Sequence, residues 1–126
     1  MSAEIPAVVT RYVRIASSDD PADAEAIAAC FSEDAEVTDE GETRRGRVAI
    51  RQWWRGPATA YRYTVEVRGT LAHGGDRYVL FVRLSGSFPG SLVDLAYRFT
   101  VRDGLVATLV ISPPTRGEQP DPAPPT

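Results

Sequence analysis

The side chain best suited to chemistry in this sequence is Asp39, which ends a short alternating segment. Residues 35–40 alternate so that Ala35 and Val37 share a strand face with Asp39, and the intervening polar residues take the opposite face. An ionised carboxylate on an apolar face is costly unless it is paired or used. Two interpretations follow: Asp39 is a general base in an apolar site, or it caps its own backbone at the Glu40-Gly41 turn.

Tyr12 is the second candidate, on an amphipathic helix predicted from about Pro6 to Ala16. The apolar residues of this segment recur at helical spacing: Ile5, Val8, Val9, Tyr12 and Ala16. A buried phenol can donate a hydrogen bond to an oxygen that becomes negative during a reaction. It can equally be a large core residue whose hydroxyl is satisfied elsewhere.

Two further helices and a short hairpin are predicted around these side chains. Asp20-Pro21 is typical of a helix start, and the apolar stripe that follows it is Ala24, Ile27, Ala28 and Phe31, with Cys30 as a small core residue. The Glu40-Gly41 turn leads into a return strand over residues 42–45. Gly46 opens a third helix, whose inward-facing residues are predicted to be Val48, Ile50, Trp53 and Trp54. Two adjacent tryptophans point in different directions around a helix axis, so we expect one in the core and the other at the rim of a pocket or interface.

From Tyr61 onward the apolar period changes to two, which indicates strands. The turn signals Gly74-Gly75, Pro89-Gly90 and Asp103-Gly104 divide this region into an antiparallel meander over residues 61–73, 77–87, 92–102 and 105–112. The second strand is apolar on both sides, so we expect its outer face to be covered as well. Residues 1–112 are predicted to form one domain, and the Pro-rich residues 113–126 a disordered tail.

Composition excludes several classes of function. The fourteen basic residues are all arginine, which removes lysine Schiff-base chemistry, and His73 and Cys30 are too few for a multi-ligand metal site. We therefore expect no metal and no cofactor. A net charge of −3 argues against a nucleic-acid partner or an anionic membrane surface. The chain has no bilayer-length apolar run and no signal-peptide pattern, so we expect a cytoplasmic protein.

The order helix, helix, short hairpin, helix and long meander predicts an α+β fold with helices on one face of a curved antiparallel sheet. The segments 8–13, 28–31, 35–39 and 46–51 resemble the SnoaL-like and ketosteroid-isomerase branch of the nuclear-transport-factor-2-like superfamily, and the order of elements agrees over about residues 5–112. The resemblance implies a cone-shaped fold of three N-terminal helices on that sheet, with an internal pocket and a homodimer.

The resemblance also implies residue roles. Tyr12 matches the oxyanion-hole tyrosine of the ketosteroid isomerases, and Asp39 matches their general base. Leu95 stands where those enzymes have a second oxyanion donor, a protonated aspartate. The neighbouring Asp94 is predicted on the polar face beside Arg98, where it could serve only if a bulge turned the strand.

Three functions are compatible with these residues. The first is a base-catalysed isomerisation, dehydration or cyclisation of an apolar carbonyl compound, with a ligand site lined by Phe31, Trp53, Trp54, Tyr63, Leu95 and Tyr97. The second is non-catalytic binding of an apolar small molecule by the same residues. The third is an interaction module that uses the outer sheet face around Val79 and Phe81. A limonene-epoxide-hydrolase-like mechanism is disfavoured, because the sequence has no Asn.

Overall fold

Helices and strands follow one another in the predicted order in the computed structural model, which describes residues 5–16, 23–56, 63–72, 75–86 and 92–114. The helices of these residues are α1 (Ala7–Ala16), α2 (Ala24–Ala28) and α3 (Arg47–Arg55). The strands are β1 (Phe31–Asp39), β2 (Glu42–Arg45), β3 (Tyr63–Ala72), β4 (Arg77–Gly86), β5 (Leu92–Arg102) and β6 (Leu105–Ser112).

The six strands form a single sheet in the order β2-β1-β6-β5-β4-β3. The hairpin and the meander are antiparallel, and they are joined by the parallel pairing of β1 with β6. Register shifts occur in β1, β3 and β6, and irregularities of this kind bend a strand and increase its twist. The predicted α+β fold with a curved sheet is therefore confirmed.

The helices pack on one face of this sheet, which we call the inner face. The main core joins the buried side of α1, at Val8, Val9, Tyr12 and Ala16, to α2, α3 and the inner face of the strands. Val37 and Leu109 are opposite one another in the β1–β6 register, and both are fully buried in this core. Burial of these apolar surfaces is the main stabilising term of the fold.

The position of α3 is determined by the backbone at Gly46. This residue has a φ of 88°, which glycine adopts at little cost, and its N–H donates to the carbonyl of Ala35 at 2.8 Å. Arg47 Nε donates to the Phe31 carbonyl at 2.9 Å. The first turn of α3 is thus tied to β1 at two points, and the helix is laid back across the inner face.

Two arginines of α3, Arg51 and Arg55, also connect the helix to α2. Arg51 Nε lies 2.8 Å from Glu25 Oε1 without the alignment of a hydrogen bond, and Arg55 Nη2 lies 3.8 Å from the same oxygen. Both pairs are at the surface, where such ion pairs stabilise a fold by about 0–1 kcal/mol.

Three sequence-based expectations for individual residues are wrong. Phe31 does not extend the stripe of α2, because Val106 N–H bonds the Cys30 carbonyl and the chain pairs with β6 from Phe31 onward. Val48 is 65% exposed instead of facing inward, since it lies on the solvent side of α3. Trp53 and Trp54 do not divide between core and rim: both are buried.

The outer face of the meander has an apolar cluster of its own. Val79, Phe81 and Ala96 are buried there, with Leu71 packed against them. The expectation that the outer face of β4 is covered is confirmed. A shallow groove of about 290 Å³ lies beside this cluster, lined mainly by residues 77–79, 98–100, Thr108 and Val110.

Some expectations fall outside the described residues: the helix start at Asp20-Pro21, His73, and the tail from residue 115 onward. Within the described part of the chain, none of the helices has the length and apolarity needed to cross a bilayer.

Leu109→Ala should destabilise the fold by about 2–5 kcal/mol, because it opens a cavity in the inner core. The adjacent Val110, which is 36% exposed on the outer face, is the matched control, and Val110→Ala should cost less than about 1 kcal/mol. Urea denaturation of both variants measures the difference. Equal losses in the free energy of unfolding would contradict the placement of Leu109 in the inner core and of Val110 on the outer face.

Candidate functional site

Asp39 lies on the inner face at the end of β1. It is opposite Glu42 in the hairpin and beside Ile111 of β6, and it shares its face with the fully buried Ala35 and Val37. The side chain is half-buried. The alternation in the sequence therefore predicted the correct face for this carboxylate.

The Asp39 carboxylate is bound by the buried indole of Trp53. Trp53 Nε1 donates to Asp39 Oδ2 at 3.0 Å, and the Trp54 ring packs edge-on against Trp53, with 6.2 Å between ring centroids. A buried indole N–H needs an acceptor, and a carboxylate on an apolar face needs a donor. Within the part of the chain that the structure describes, the other oxygen, Oδ1, has no hydrogen-bond partner.

Tyr12 lies at the centre of an aromatic cluster in the inner core. Its ring makes edge-on contacts with Phe31, Tyr97 and Phe99, at centroid distances of 5.9, 6.3 and 5.7 Å. The Tyr12 residue is 2% exposed. Such edge-to-face pairs stabilise by about 0.5–1.5 kcal/mol each beyond the area they bury.

A row of paired residues relates Tyr12 to Asp39. Asp39 is paired with Ile111, and Ile111 is paired with Tyr97, which contacts Tyr12. Strands are about 4.8 Å apart, so the backbones of Asp39 and Tyr97 are separated by roughly 10 Å. The two candidates are thus linked across the inner face through Ile111 and Tyr97, although the contact of Tyr12 with Phe31 lies at the opposite end of β1 from Asp39.

The remaining predicted lining residues lie in four different places. Phe31 and Tyr97 belong to the aromatic cluster around Tyr12, whereas Trp53 and Trp54 lie on the Asp39 side. Leu95 is half-buried against the inner core. Tyr63 pairs with Gly86 in the β3–β4 register, and its side chain is outside the described part of the structure.

Asp94 is not a second donor on the inner face. The β4–β5 register is regular at this position, and Asp94 faces outward, where Arg83 binds both of its oxygens at 2.8 and 3.1 Å. The hydrogen bonds from Arg83 hold the pKa of the Asp94 carboxyl below its ordinary value. Asp94 is therefore a carboxylate at neutral pH on the predicted polar face of β5, and Arg83 is its partner there.

Cys30 is confirmed as a core residue. It is fully buried, its Sγ lies 3.5 Å from the Ala26 carbonyl, and burial raises the pKa of the thiol. A protonated, inaccessible thiol is a poor nucleophile. Among the described residues, no group of three or more His, Cys, Asp or Glu side chains could hold a metal ion.

Two features of the site were missed from the sequence. One is the hydrogen bond from Trp53 to Asp39, although the need of a buried indole for an acceptor could have suggested it. The other is Arg44, which is opposite Val37 and so lies on the inner face. The two-residue turn at Glu40-Gly41 sets this register, and counting across it would have found Arg44.

Comparison with known proteins identifies the family of this chain. The sequence pattern of the SnoaL-like domain matches residues 9–109. A Sinorhizobium meliloti protein named as a candidate polyketide cyclase is 37% identical, over 86% of this chain and 95% of its own, with a TM-score of 0.77. The chain belongs to the SnoaL-like domain family.

The fold of this SnoaL-like domain recurs in more distant structures. One is a protein of ketosteroid-isomerase-like fold from Catenulispora acidiphila in complex with trimethylamine, 20% identical over 86% of both chains, with a TM-score of 0.72. Another is a Mycobacterium tuberculosis protein in complex with estradiol-17β-hemisuccinate, 18% identical over 82% of this chain and 88% of its own, with a TM-score of 0.68. No curated protein matches the chain.

The hydrogen bond between Trp53 and Asp39 predicts an energetic coupling between the two side chains. In a double-mutant cycle of Trp53→Phe with Asp39→Ala, we expect a coupling of about 1 kcal/mol in the free energy of unfolding, because the bond involves a charged acceptor. The same cycle with Trp54→Phe should be additive to within about 0.5 kcal/mol. Additivity in both cycles would argue against the bond.

The Arg83–Asp94 pair predicts a pH effect. Because the pKa of Asp94 is lowered on folding, its stabilising contribution is present above the unfolded-state pKa and is lost as the pH falls through the folded-state pKa. An NMR titration should place the Asp94 midpoint below 3.8, and Arg83→Gln should raise it. Arg102→Gln, which removes the partner of Asp76, is the control and should leave the midpoint unchanged. A midpoint above 3.8 with Arg83 present would contradict this assignment.

Proposed function

We propose that this SnoaL-like domain is a cofactor-free enzyme that removes a proton next to the carbonyl group of an apolar small molecule. Asp39 is the general base, and Tyr12 donates a hydrogen bond to the enolate oxygen. The observation that carries the proposal is a half-buried carboxylate on an apolar face, bound at one oxygen by the Trp53 N–H. The second oxygen is the one that takes the proton.

The proposed ligand lies over Ile111, between Asp39 and the aromatic cluster. Asp39 Oδ1 takes the proton, the C–H electron pair forms the enolate double bond, and the carbonyl π electrons move to oxygen. Tyr12 stabilises this charge, which appears only as the reaction proceeds. Trp53 remains bonded to Oδ2 and fixes the orientation of the base. Return of the proton to another carbon gives isomerisation, loss of a leaving group gives dehydration, and attack on a second carbonyl gives cyclisation.

The substrate class is supported by two relatives. The Sinorhizobium meliloti protein is named as a candidate polyketide cyclase, and the Mycobacterium tuberculosis protein binds a steroid derivative. Both names are consistent with apolar polycyclic compounds. Leu95 supplies no second hydrogen bond to the enolate, and removal of one such donor typically lowers a rate by about 10²–10³. We therefore expect a slower reaction than that of a two-donor isomerase.

Non-catalytic binding is the alternative that the same geometry allows. The Tyr12 ring packs edge-to-face on three aromatic rings of the core, which is also expected of a tyrosine with a purely structural role. In that case a ligand would bind over Ile111 and no product would form. A homodimer is compatible with either function and stays a prediction.

Deuterium exchange separates these functions. In D₂O the protein should catalyse exchange of the α-protons of 2-decalone, detected by mass spectrometry. Asp39→Asn should lower the rate by about 10² or more, because the base is lost, and Tyr12→Phe by about 10²–10³.

The matched control is Asp34→Asn, which changes an exposed carboxylate of the same strand and should leave the exchange rate unchanged. Thermal melts of the three variants report whether the fold is retained. Full exchange activity in a folded Asp39→Asn protein would exclude Asp39 as the base, and binding of 2-decalone without exchange would favour the non-catalytic alternative.

A further inference from the structure

Arg44 is an arginine on the inner face of an edge strand, next to the candidate base. It is paired with Val37 in the hairpin register, so it is a diagonal neighbour of Asp39 on the same face. Diagonal neighbours in an antiparallel pair have Cα atoms about 7–8 Å apart, a separation that an arginine side chain can span. Arg44 and Ile111 therefore lie on opposite sides of Asp39.

One nitrogen of the Arg44 guanidinium is paired with a carboxylate, and another has no hydrogen-bond partner in the described part of the chain. Nη2 lies 2.6 Å from Glu42 Oε2, whose side chain is 76% exposed, whereas the Arg44 side chain is 18% exposed. Nη1 is buried and has no hydrogen-bond partner among the described residues. A buried, charged N–H without an acceptor is costly, so Arg44 Nη1 is able to bind a polar atom from outside the described residues.

We infer that Arg44 Nη1 binds a second oxygen atom of the substrate, on the side of Asp39 away from Tyr12. This inference rests on the proposed function, which places the reacting carbon at Asp39. With one oxygen directed to Tyr12 and another to Arg44, the carbon that loses its proton lies between two oxygen-bearing groups. The substrate class that fits is a 1,3-dicarbonyl compound, whose enolate shares its charge between both oxygens.

The local charges agree with a neutral substrate and an anionic intermediate. Glu42 and Arg44 compensate one another, and Asp39 supplies the remaining negative charge. When Asp39 accepts the proton, the negative charge passes to the enolate, and the net charge around Arg44 does not change. Hydrogen bonds from a guanidinium to a charged oxygen are among the strongest in proteins.

Calorimetric titration with two matched probes tests this assignment. The first is 2-acetylcyclohexanone, a 1,3-dicarbonyl compound, and the second is 2-isopropenylcyclohexanone, in which a methylene group replaces the acetyl oxygen. The wild-type protein should bind the first about tenfold more tightly, because a hydrogen bond to a charged group is gained. Arg44→Met should reduce this preference to about one, whereas the control Arg45→Met, at an exposed residue opposite Glu36, should retain it.

The same titration distinguishes failure of this inference from failure of the proposed function. If the wild-type protein does not bind 2-acetylcyclohexanone more tightly than 2-isopropenylcyclohexanone, the role of Arg44 is contradicted, whether it binds both probes equally or neither. The role is also contradicted if a folded Arg44→Met protein keeps this preference. A preference that depends on Arg44 in a protein that exchanges no α-protons supports the role of Arg44 and rejects Asp39 as a base. Asp39→Asn should retain the preference while it loses exchange.

Discussion

The site depends on one hydrogen bond, from the Trp53 indole to Asp39. A carboxylate at the end of β1 is otherwise left on an apolar face, and a buried indole N–H is otherwise left without an acceptor; the bond satisfies both groups. It forms because Gly46 turns the chain sharply after the hairpin and because α3 is tied to β1 through Ala35 and Phe31. The backbone geometry of a single glycine therefore positions the partner of the candidate base.

The two aspartates of the inner and outer faces show how a partner determines what a carboxylate can do. Asp94 on the outer face meets a guanidinium, which binds both oxygens and keeps the group ionised. Asp39 on the inner face accepts a hydrogen bond from a neutral indole at Oδ2, and Arg44 is its diagonal neighbour across the hairpin. The first arrangement occupies both carboxylate oxygens, and the second leaves Oδ1 without a hydrogen-bond partner among the described residues.

Much of the fold could be predicted from the sequence because its signals are local. Alternation in β1, turn residues at Glu40-Gly41 and Asp103-Gly104, and the helical spacing around Tyr12 each predicted an element that the structure contains. The errors came from long-range contacts. Phe31 continues a helical spacing in the sequence, yet pairing with β6 draws it into a strand, and no local pattern reports that pairing.

The candidate site was predictable only in part for the same reason. The face of Asp39 follows from alternation, and the burial of Tyr12 follows from helical spacing. The partners of Asp39 and Asp94 depend on how α3 crosses the sheet and on the β4–β5 register. The buried Nη1 of Arg44 depends on three-dimensional packing that no sequence period encodes.

The most direct test of the account is an intermolecular nuclear Overhauser measurement between bound 2-decalone and the Trp53 indole N–H proton, assigned with Trp53→Phe. If the ligand places its acidic carbon at Asp39, its α-protons should lie close enough to this indole proton to give a cross-peak. Cross-peaks confined to the methyl groups of Val79 and Val110, which line the outer groove, would place the ligand on the opposite face of the sheet and contradict the assignment of Asp39 as the base.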